Sequence, residues 1–279
     1  MVKFRHKGMK ARLLITVVIL LAGCSGPCKI QPQTQCPGAR LHGANMSRAN
    51  LHGANLSLAK LGNADMREAN LARASLGNAD LSGANLSGAN LRDAHLSGAD
   101  LSDANLQGAN LQGANLVLTN VRGADLSQAT LRGSFAYGVN LTNADLRGTD
   151  LRGVRLDDTT QIDDKWHLVW AIVNEGASRR DLRGHDLREA NLQGANLRGV
   201  DLTNVDLSSA ILFDADLSGA DLSGTDLSGA DLSGADLSGA DLSGADLTAA
   251  THSIETKWPG GFDPMAAGAT LPRLVKDDD

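Results

Sequence analysis

A leucine-like residue recurs at every fifth position over most of the chain. In residues 41–156 this central position is Leu in 20 of 24 pentapeptides, and in residues 182–247 it is Leu in all 14. The exceptions are Met46, Met66, Val121 and Ala136. A period of five matches neither the 3.6-residue repeat of a helix nor the two-residue alternation of a strand. It predicts a solenoid, in which stacked units share one apolar interior.

The other four positions of the pentapeptide are patterned as well. Two residues before each centre lies a small residue, usually Ala. The remaining three positions carry mostly Asn or Asp, then Ser, Arg or Gln, then Gly or Asn. The alternative to a solenoid is a disordered tract of low complexity. Leu at nearly every centre argues against it, because disordered segments lack that apolar content.

This pattern, A-(D/N)-L-x-x, resembles that of the pentapeptide repeat family over about two thirds of the 279 residues. The resemblance implies an all-β solenoid, a right-handed quadrilateral β-helix with one pentapeptide per side and four per coil. It also implies that the central and small residues point inward and the other three face solvent. The chemistry agrees, because Leu beside Ala fills a narrow lumen while Gly and Asn permit tight corners.

The N-terminus is predicted to direct export. Residues 1–23 combine a basic start with a short apolar run, which contains far fewer than the ~20 residues that span a bilayer. The run ends in the letters LAGC at residues 21–24, which resemble the bacterial lipobox. That resemblance implies cleavage after Gly23 and lipid attachment to Cys24, where several acyl chains give stable anchoring. The alternative is an ordinary signal peptide with an incidental cysteine.

Two further cysteines, Cys28 and Cys36, remain when Cys24 is assigned to lipid. They lie eight residues apart, and an even remainder outside the cytoplasm predicts a disulfide that closes this loop. Two free thiols are the alternative. A metal site would lack His or Cys partners at ligand spacing. Residues 24–38 are therefore predicted to form a lipid tether and an N-terminal cap.

The five-residue period stops between the two runs, in residues 157–181. Apolar residues fall there at helical spacing, with acidic residues at the start and Gly176 at the end, which predicts an amphipathic linker helix. Its stripe, which includes Trp166 and Trp170, is interpreted as covering an open coil end or lying on the rod. The alternative is a docking helix for a partner, since exposed Trp is costly.

The predicted organisation has six parts. They are a signal peptide (1–23), a tether and cap (24–38), block 1 of the β-helix (39–156), a linker helix (157–181), block 2 (182–250) and a C-terminal cap or tail (251–279).

Charge divides unevenly between the blocks. Residues 39–156 carry 11 basic and 9 acidic side chains, whereas residues 181–250 carry 3 and 13. With 20 residues per coil, aligned columns are expected, in which amides can bond from coil to coil and aspartates repel one another. They are Asn50, Asn70, Asn90 and Asn110; Asp201, Asp221 and Asp241; and Asp206, Asp226 and Asp246. Such columns are expected to bind cations weakly, but no calcium-binding loop is recognisable. A solvated face that keeps the rod soluble is the favoured interpretation.

No catalytic residue, cofactor site or metal site is predicted. The seven histidines form no triad or cluster in sequence, and the many serines lack a base partner. His185 takes the small inward position before Leu187.

The predicted function is therefore a non-catalytic, lipid-anchored scaffold or interaction surface of the bacterial envelope. It would lie on the outer membrane or on the periplasmic face of the inner membrane. Its partner would be a protein, a cell-wall polymer or a metal-rich surface layer. The alternative is a cytoplasmic acidic DNA mimic that regulates a DNA-binding enzyme such as gyrase. The export signal argues against that alternative, and nucleic acid itself is not an expected partner. Oligomeric state stays open.

Overall fold

The computed structural model describes residues 31–271, with the backbones of two short strands before them. These strands, β1 (Val18–Ile19) and β2 (Cys28–Lys29), pair antiparallel. Within the described part of the chain, the one helix is α1 (Asp164–Glu175). The predicted signal peptide and its cleavage site lie outside the described residues, apart from β1, and stay predictions.

The chain winds into square coils of 20 residues. Single-residue parallel bridges link positions 20 apart, as between Asn45 and Asp65, and the bridging residue is the one before each centre. The bridges form two sets, from Gln35 to Gln161 and from Asp186 to Thr270, and α1 lies between them. The solenoid predicted from the five-residue period, and the four-sided coil that the resemblance implied, are therefore present.

Backbone hydrogen bonds hold neighbouring coils together. The amide of Leu41 donates to the carbonyl oxygen of Lys60 in the next coil at 2.8 Å. The amide of Asp65 donates back to the carbonyl oxygen of Ala44 at 2.9 Å. The same two bonds recur along the stack, so the backbone groups of each side are paired within the solenoid instead of with water.

The lumen is a column of leucine and alanine. Centres such as Leu86 and small residues such as Ala84 are fully buried, as predicted. Three threonines occupy the small position and satisfy their hydroxyl by donating to a carbonyl oxygen 23 residues earlier. They are Thr119, Thr149 and Thr225, with distances of 2.9, 2.8 and 2.8 Å.

Each corner is a tight turn closed by an amide of the small residue, as from Ala44 to the carbonyl oxygen of Leu41 at 3.0 Å. The second residue after each centre has a positive φ, which is the requirement of a type II turn. Most of these residues are Gly, Asn or Asp. Leu58 and Leu118 take the position at φ 62 and 57, a left-handed conformation that costs about 1–2 kcal/mol.

Helix α1 packs against the last coil of block 1. Its Trp166, Val169 and Ile172 are buried in the same apolar core as the coils. Trp170 Nε1 donates to the carbonyl oxygen of Val154 at 2.8 Å, and Asn174 Nδ2 donates to that of Leu151 at 3.0 Å. These contacts favour the structural interpretation of the apolar stripe over a free docking helix.

The two sets of coils also contact each other directly. The amide of Gly148 donates to the carbonyl oxygen of Glu189 at 2.7 Å, and Asn191 Nδ2 donates to the carbonyl oxygen of Gly148 at 3.2 Å. Beside them Arg152 donates to Gln193 Oε1 at 2.9 Å. Block 2 therefore stacks end to end on block 1 along this side, a relation that the sequence left open.

The last coil is covered by the residues that follow it. The amide of Ala249 donates to the carbonyl oxygen of Gly268 at 3.0 Å, and that of Thr270 donates to the carbonyl oxygen of Ala250 at 2.7 Å. Trp258 stacks on Phe262 with ring centroids 5.4 Å apart. The described part of the tail thus lies where a C-terminal cap was predicted.

Truncation of a lumen leucine is expected to destabilise the stack strongly. Leu86→Ala removes a fully buried side chain and leaves a cavity, so the free energy of unfolding should fall by about 2–5 kcal/mol. Leu58→Ala is the matched control, because Leu58 is 59% exposed at a corner and its truncation should change little. Urea unfolding followed by circular dichroism measures both, and equal effects would contradict the assignment of the lumen.

The role of α1 can be tested with adjacent residues. Trp166→Ala should lower the free energy of unfolding by about 3–5 kcal/mol, because it empties a site within the core. His167→Ala, one residue further along, alters an exposed ring and should have a small effect. A Trp166→Ala variant that unfolds at the wild-type denaturant concentration would show that α1 is not part of the core.

Candidate interaction surface

Side chains on the exterior align in columns, one position per side in each coil. Asn70 Nδ2 donates to Asn50 Oδ1 at 3.3 Å, and Asn90 Nδ2 donates to Asn70 Oδ1 at 3.2 Å. Asn110 takes the next place in the same column. The predicted asparagine column is confirmed. Hydrogen bonds between side-chain amides link its coils in addition to the backbone hydrogen bonds.

Two aspartate columns run along block 2. Bridges join Asp201 to Asp221 and Asp221 to Asp241, and a second series joins Asp206, Asp226 and Asp246. Both columns are therefore confirmed as predicted from a 20-residue coil. They give block 2 an acidic exterior that contrasts with the mixed charges of block 1.

Each aspartate is stabilised by its own turn. Asp221 Oδ1 accepts the hydroxyl of Ser223 at 2.6 Å and the amide of Ser223 at 3.0 Å, which lowers the pKa of the carboxyl below its ordinary value. The pKa of Asp241 is lowered in the same way by Ser243, and repulsion from Asp221 is a smaller effect in the opposite direction. Repulsion between Asp221 and Asp241 therefore does not decide their ionisation, and both carboxyls stay charged at neutral pH.

One carboxylate joins the stack to its C-terminal cap. Lys257 Nζ donates to Asp236 Oδ2 at 2.8 Å, and this bond is the main reason that the pKa of Asp236 falls to about 2. The amide of Lys257 also donates to the carbonyl oxygen of Ala235 at 2.9 Å. Charge and backbone together fix the start of the cap against the preceding coil.

One face of block 1 departs from the polar pattern. Phe135 and Tyr137 lie outside with ring centroids 6.5 Å apart, and the Arg155 guanidinium carbon lies 4.8 Å from the Phe135 centroid. Leu118, 70% exposed, lies beside Gly138 at the neighbouring corner. Sequence reasoning missed this aromatic face (residues 117–118, 135–137 and 155). The available signal was pentapeptide 134–138, whose centre is Ala136.

The predicted attachment and disulfide residues are only partly described. Cys24 lies outside the described residues, and so does the side chain of Cys28. Cys36 is buried, is disulfide-bonded, and has its Sγ 3.5 Å from Thr34 Oγ1. Lipid attachment at Cys24 and the Cys28–Cys36 pairing stay predictions.

One expected orientation is wrong. His185 is exposed, with Nδ1 3.3 Å from the carbonyl oxygen of Arg183, although its place in the repeat is an inward one. An imidazole is larger than the Ala that fits this position elsewhere, and here it turns to solvent.

In the described part of the chain, no group of three or more His, Cys, Asp or Glu side chains could hold a metal ion. No described helix is long and apolar enough to cross a membrane.

The geometry defines a class: a four-sided β-solenoid built from five-residue sides with an apolar lumen. The chain belongs to the pentapeptide repeat family, whose fold is the right-handed quadrilateral β-helix. The family model, described as pentapeptide repeats (8 copies), matches more than two thirds of the chain. The matched residues are 33–63, 49–88, 84–123, 119–158, 178–209 and 210–248. That model describes a structural repeat and indicates no catalytic family.

Solved structures of the family resemble the chain. HetL, a pentapeptide repeat protein involved in heterocyst differentiation regulation from Nostoc sp. PCC 7120, is 30% identical over 80% of this chain and 87% of its own, with a TM-score of 0.39. Rfr23 from Cyanothece 51142 is 30% identical over 46% of this chain and 91% of its own, with a TM-score of 0.27. QnrB1, a plasmid-mediated fluoroquinolone resistance protein, is 19% identical over 87% of this chain and 92% of its own, with a TM-score of 0.31. Among curated proteins, none matches significantly.

Removal of the Lys257 ammonium is expected to release the carboxyl of Asp236. In Lys257→Gln the pKa of Asp236 should rise from about 2 toward its ordinary value, because the strongest hydrogen bond to the charged form is lost. The pKa of Asp241, set by Ser243, should not move in this variant. Carboxyl carbon NMR titrations over acidic pH measure both residues.

The lowered pKa of Asp236 also determines how the stability of the folded state changes as the pH falls. A carboxyl whose pKa is lowered on folding stabilises the folded state above its unfolded pKa, and that contribution is lost as the pH falls through the folded value. Wild-type stability supplied by Asp236 should therefore decline from about pH 4 to about pH 2, and less so in Lys257→Gln. Identical acid profiles for the two proteins would contradict the role of this ion pair.

Proposed function

We propose that the protein is a non-catalytic, lipid-anchored scaffold of the bacterial envelope, whose rigid exterior binds a partner there. The interior supports the scaffold role. Leucines fill the lumen, backbone groups pair between coils, and the described exterior presents side chains in aligned columns. Such a surface presents fixed groups at fixed spacing and needs no further ordering when a partner binds.

The disulfide at Cys36 is the observation that carries the envelope location. Disulfides persist in oxidising compartments and are rare in the cytoplasm. The chain has three cysteines, so lipid on Cys24 leaves Cys28 as the partner of Cys36. The lipobox-like residues 21–24 and the disulfide at Cys36 therefore support one arrangement, with anchor and stapled loop both at the N-terminal end of the solenoid.

The acidic columns of block 2 favour a second candidate, a cytoplasmic DNA mimic that acts on a DNA-binding enzyme. The carboxylates of Asp221 and Asp241 remain charged at neutral pH and are held at a regular spacing, as phosphates are. A bonded Cys36 argues against a reducing compartment and therefore against this candidate. Localisation decides between the two.

Metabolic labelling with radioactive palmitate tests the anchor. The wild-type chain expressed in a bacterial host should incorporate label and sediment with membranes. Cys24→Ala should lose the label and accumulate as an uncleaved precursor, because the acylated sulfur is gone. An unlabelled, cytosolic wild-type product would overturn the envelope proposal.

Cys28→Ser is the matched control for the second cysteine. It should keep the label, since Cys24 is intact, but expose one maleimide-reactive thiol at Cys36 after denaturation. If Cys28→Ser leaves Cys36 unreactive, Cys36 is bonded to Cys24 instead, and lipid cannot occupy that sulfur.

A further inference from the structure

The aromatic face of block 1 contains a cavity of about 250 Å³. The cavity is lined by three polar residues, Asp93, His95 and Asn115, and by Gly113 and Phe135. Ala94 and Val117 complete the lining. A concave site with an aromatic wall and a few convergent polar groups is typical of small-molecule binding. Its volume is below that of pockets for drug-sized ligands, roughly 300–1,000 Å³, so it suits a single ring.

The stacking order of the coils orients Phe135. Bridges place His95, Asn115, Phe135 and Arg155 in one column, one residue per coil. The Arg155 guanidinium covers one face of the Phe135 ring from the following coil. The cavity lies on the side of the preceding coils, where Asn115 and His95 are. The ring face opposite Arg155 therefore points toward these coils, and a flat ligand in the cavity would stack on that face.

The charges around the cavity limit the ligand. The Arg155 guanidinium already occupies one face of the Phe135 ring, where a cation is attracted, and its positive charge repels a second cation. Asp93 presents a carboxylate to the cavity and disfavours an anion, although Arg92 and Arg73 lie 3.7 and 3.9 Å from it. A wholly apolar group would strip water from Asp93, His95 and Asn115 without replacing its hydrogen bonds.

A neutral ring with hydroxyl groups meets these conditions. Its C–H face can lie on Phe135, because aromatic faces carry partial negative charge. Its hydroxyls can donate to Asp93 and accept from Asn115 Nδ2, whose Oδ1 is already used by the amide of Val117 at 3.1 Å. We infer that this cavity binds one pyranose ring of a saccharide, stacked on Phe135 and hydrogen-bonded to Asp93, His95 and Asn115.

Two departures from the repeat lie beside this site. Ser134 Oγ is buried without a partner, although three threonines at the same position of other repeats are bonded. Ala136 replaces a central Leu, and the lumen next to it has a cavity of about 10 Å³ lined by leucines and Val139. Local departures of this kind gather at functional sites, because their cost must be offset by what they enable.

Saturation-transfer NMR on the purified full chain tests the inference, with micelles of a detergent that contains no sugar. The probes are N-acetylglucosamine, glucose, galactose and N,N′-diacetylchitobiose. At least one should receive saturation through its ring protons, and its dissociation constant should rise at least about tenfold in Phe135→Ala. A tenfold rise in the dissociation constant corresponds to about 1.4 kcal/mol of binding free energy.

Two further variants make the test specific. Phe213→Ala is the matched control, because Phe213 is 38% exposed and Phe135 is 36% exposed, but Phe213 does not line the cavity. It should leave sugar binding unchanged. Asn115→Asp keeps the oxygen that Val117 needs and removes the amide donor, so it should weaken binding while the thermal unfolding temperature stays near that of the wild type.

Three outcomes would overturn the inference. They are no saturation of any sugar probe, equal losses in Phe135→Ala and Phe213→Ala, and displacement of the bound sugar by N-acetyltyrosinamide at equal concentration. The last would identify a peptide aromatic side chain as the preferred occupant. None of these measurements depends on the lipid anchor, so the site can fail while the envelope proposal stands, and the reverse.

Discussion

The structure depends on the width of its lumen. Each side of a coil has room for one large and one small inward side chain, and Leu beside Ala fills that room almost everywhere. Burial of each Leu contributes on the order of 1.5–3 kcal/mol, but only if the coils above and below close the lumen. The five-residue period therefore reflects one packing requirement that every side repeats. The corner turns bring the chain back over the lumen, so that the next side can pack there.

Stacking also fixes what the exterior can be. Because backbone bonds hold residue 221 above residue 201, surface neighbours within a regular run of coils are 20 positions apart in sequence. Near-identical repeats then align like charges, which alone would destabilise block 2. Where a serine follows the central Leu, it offsets this by donating to the aspartate before that Leu, as Ser218 donates to Asp216 at 2.6 Å. One short turn thus makes the corner and stabilises the acidic column.

Sequence reasoning located the features that repeat. The centres, the small inward residues, the asparagine and aspartate columns and the amphipathic helix all follow from a period, and a period is visible without coordinates. What it could not supply were contacts between parts that do not repeat. Gly148 is hydrogen-bonded to Glu189, 41 positions further along the chain, because α1 lies between the two sets of coils. No spacing rule predicts that register.

The wrong expectation for His185 and the missed pair of Phe135 and Tyr137 have the same physical cause. His185 was assigned inward because its position in the repeat is inward, but position is enforced only where the side chain fits the lumen. Phe135 and Tyr137 occupy ordinary solvent positions in the pattern, so the five-residue period gives no sign that their rings meet. The exposed aromatic pair was readable only from pentapeptide 134–138, whose centre is Ala136 and which holds two aromatic residues in a chain that has few.

A solenoid of this kind tolerates a local departure from its repeat more easily than a globular core does. Each coil contacts only its neighbours, so the buried Ser134 hydroxyl and the gap beside Ala136 weaken the stack locally and leave distant coils unchanged. The two places that cannot vary freely are the junction at α1 and the final coil, because an uncovered coil would expose its unpaired backbone groups and apolar lumen. Binding chemistry is therefore expected on the sides of the stack, and the ends are reserved for closure.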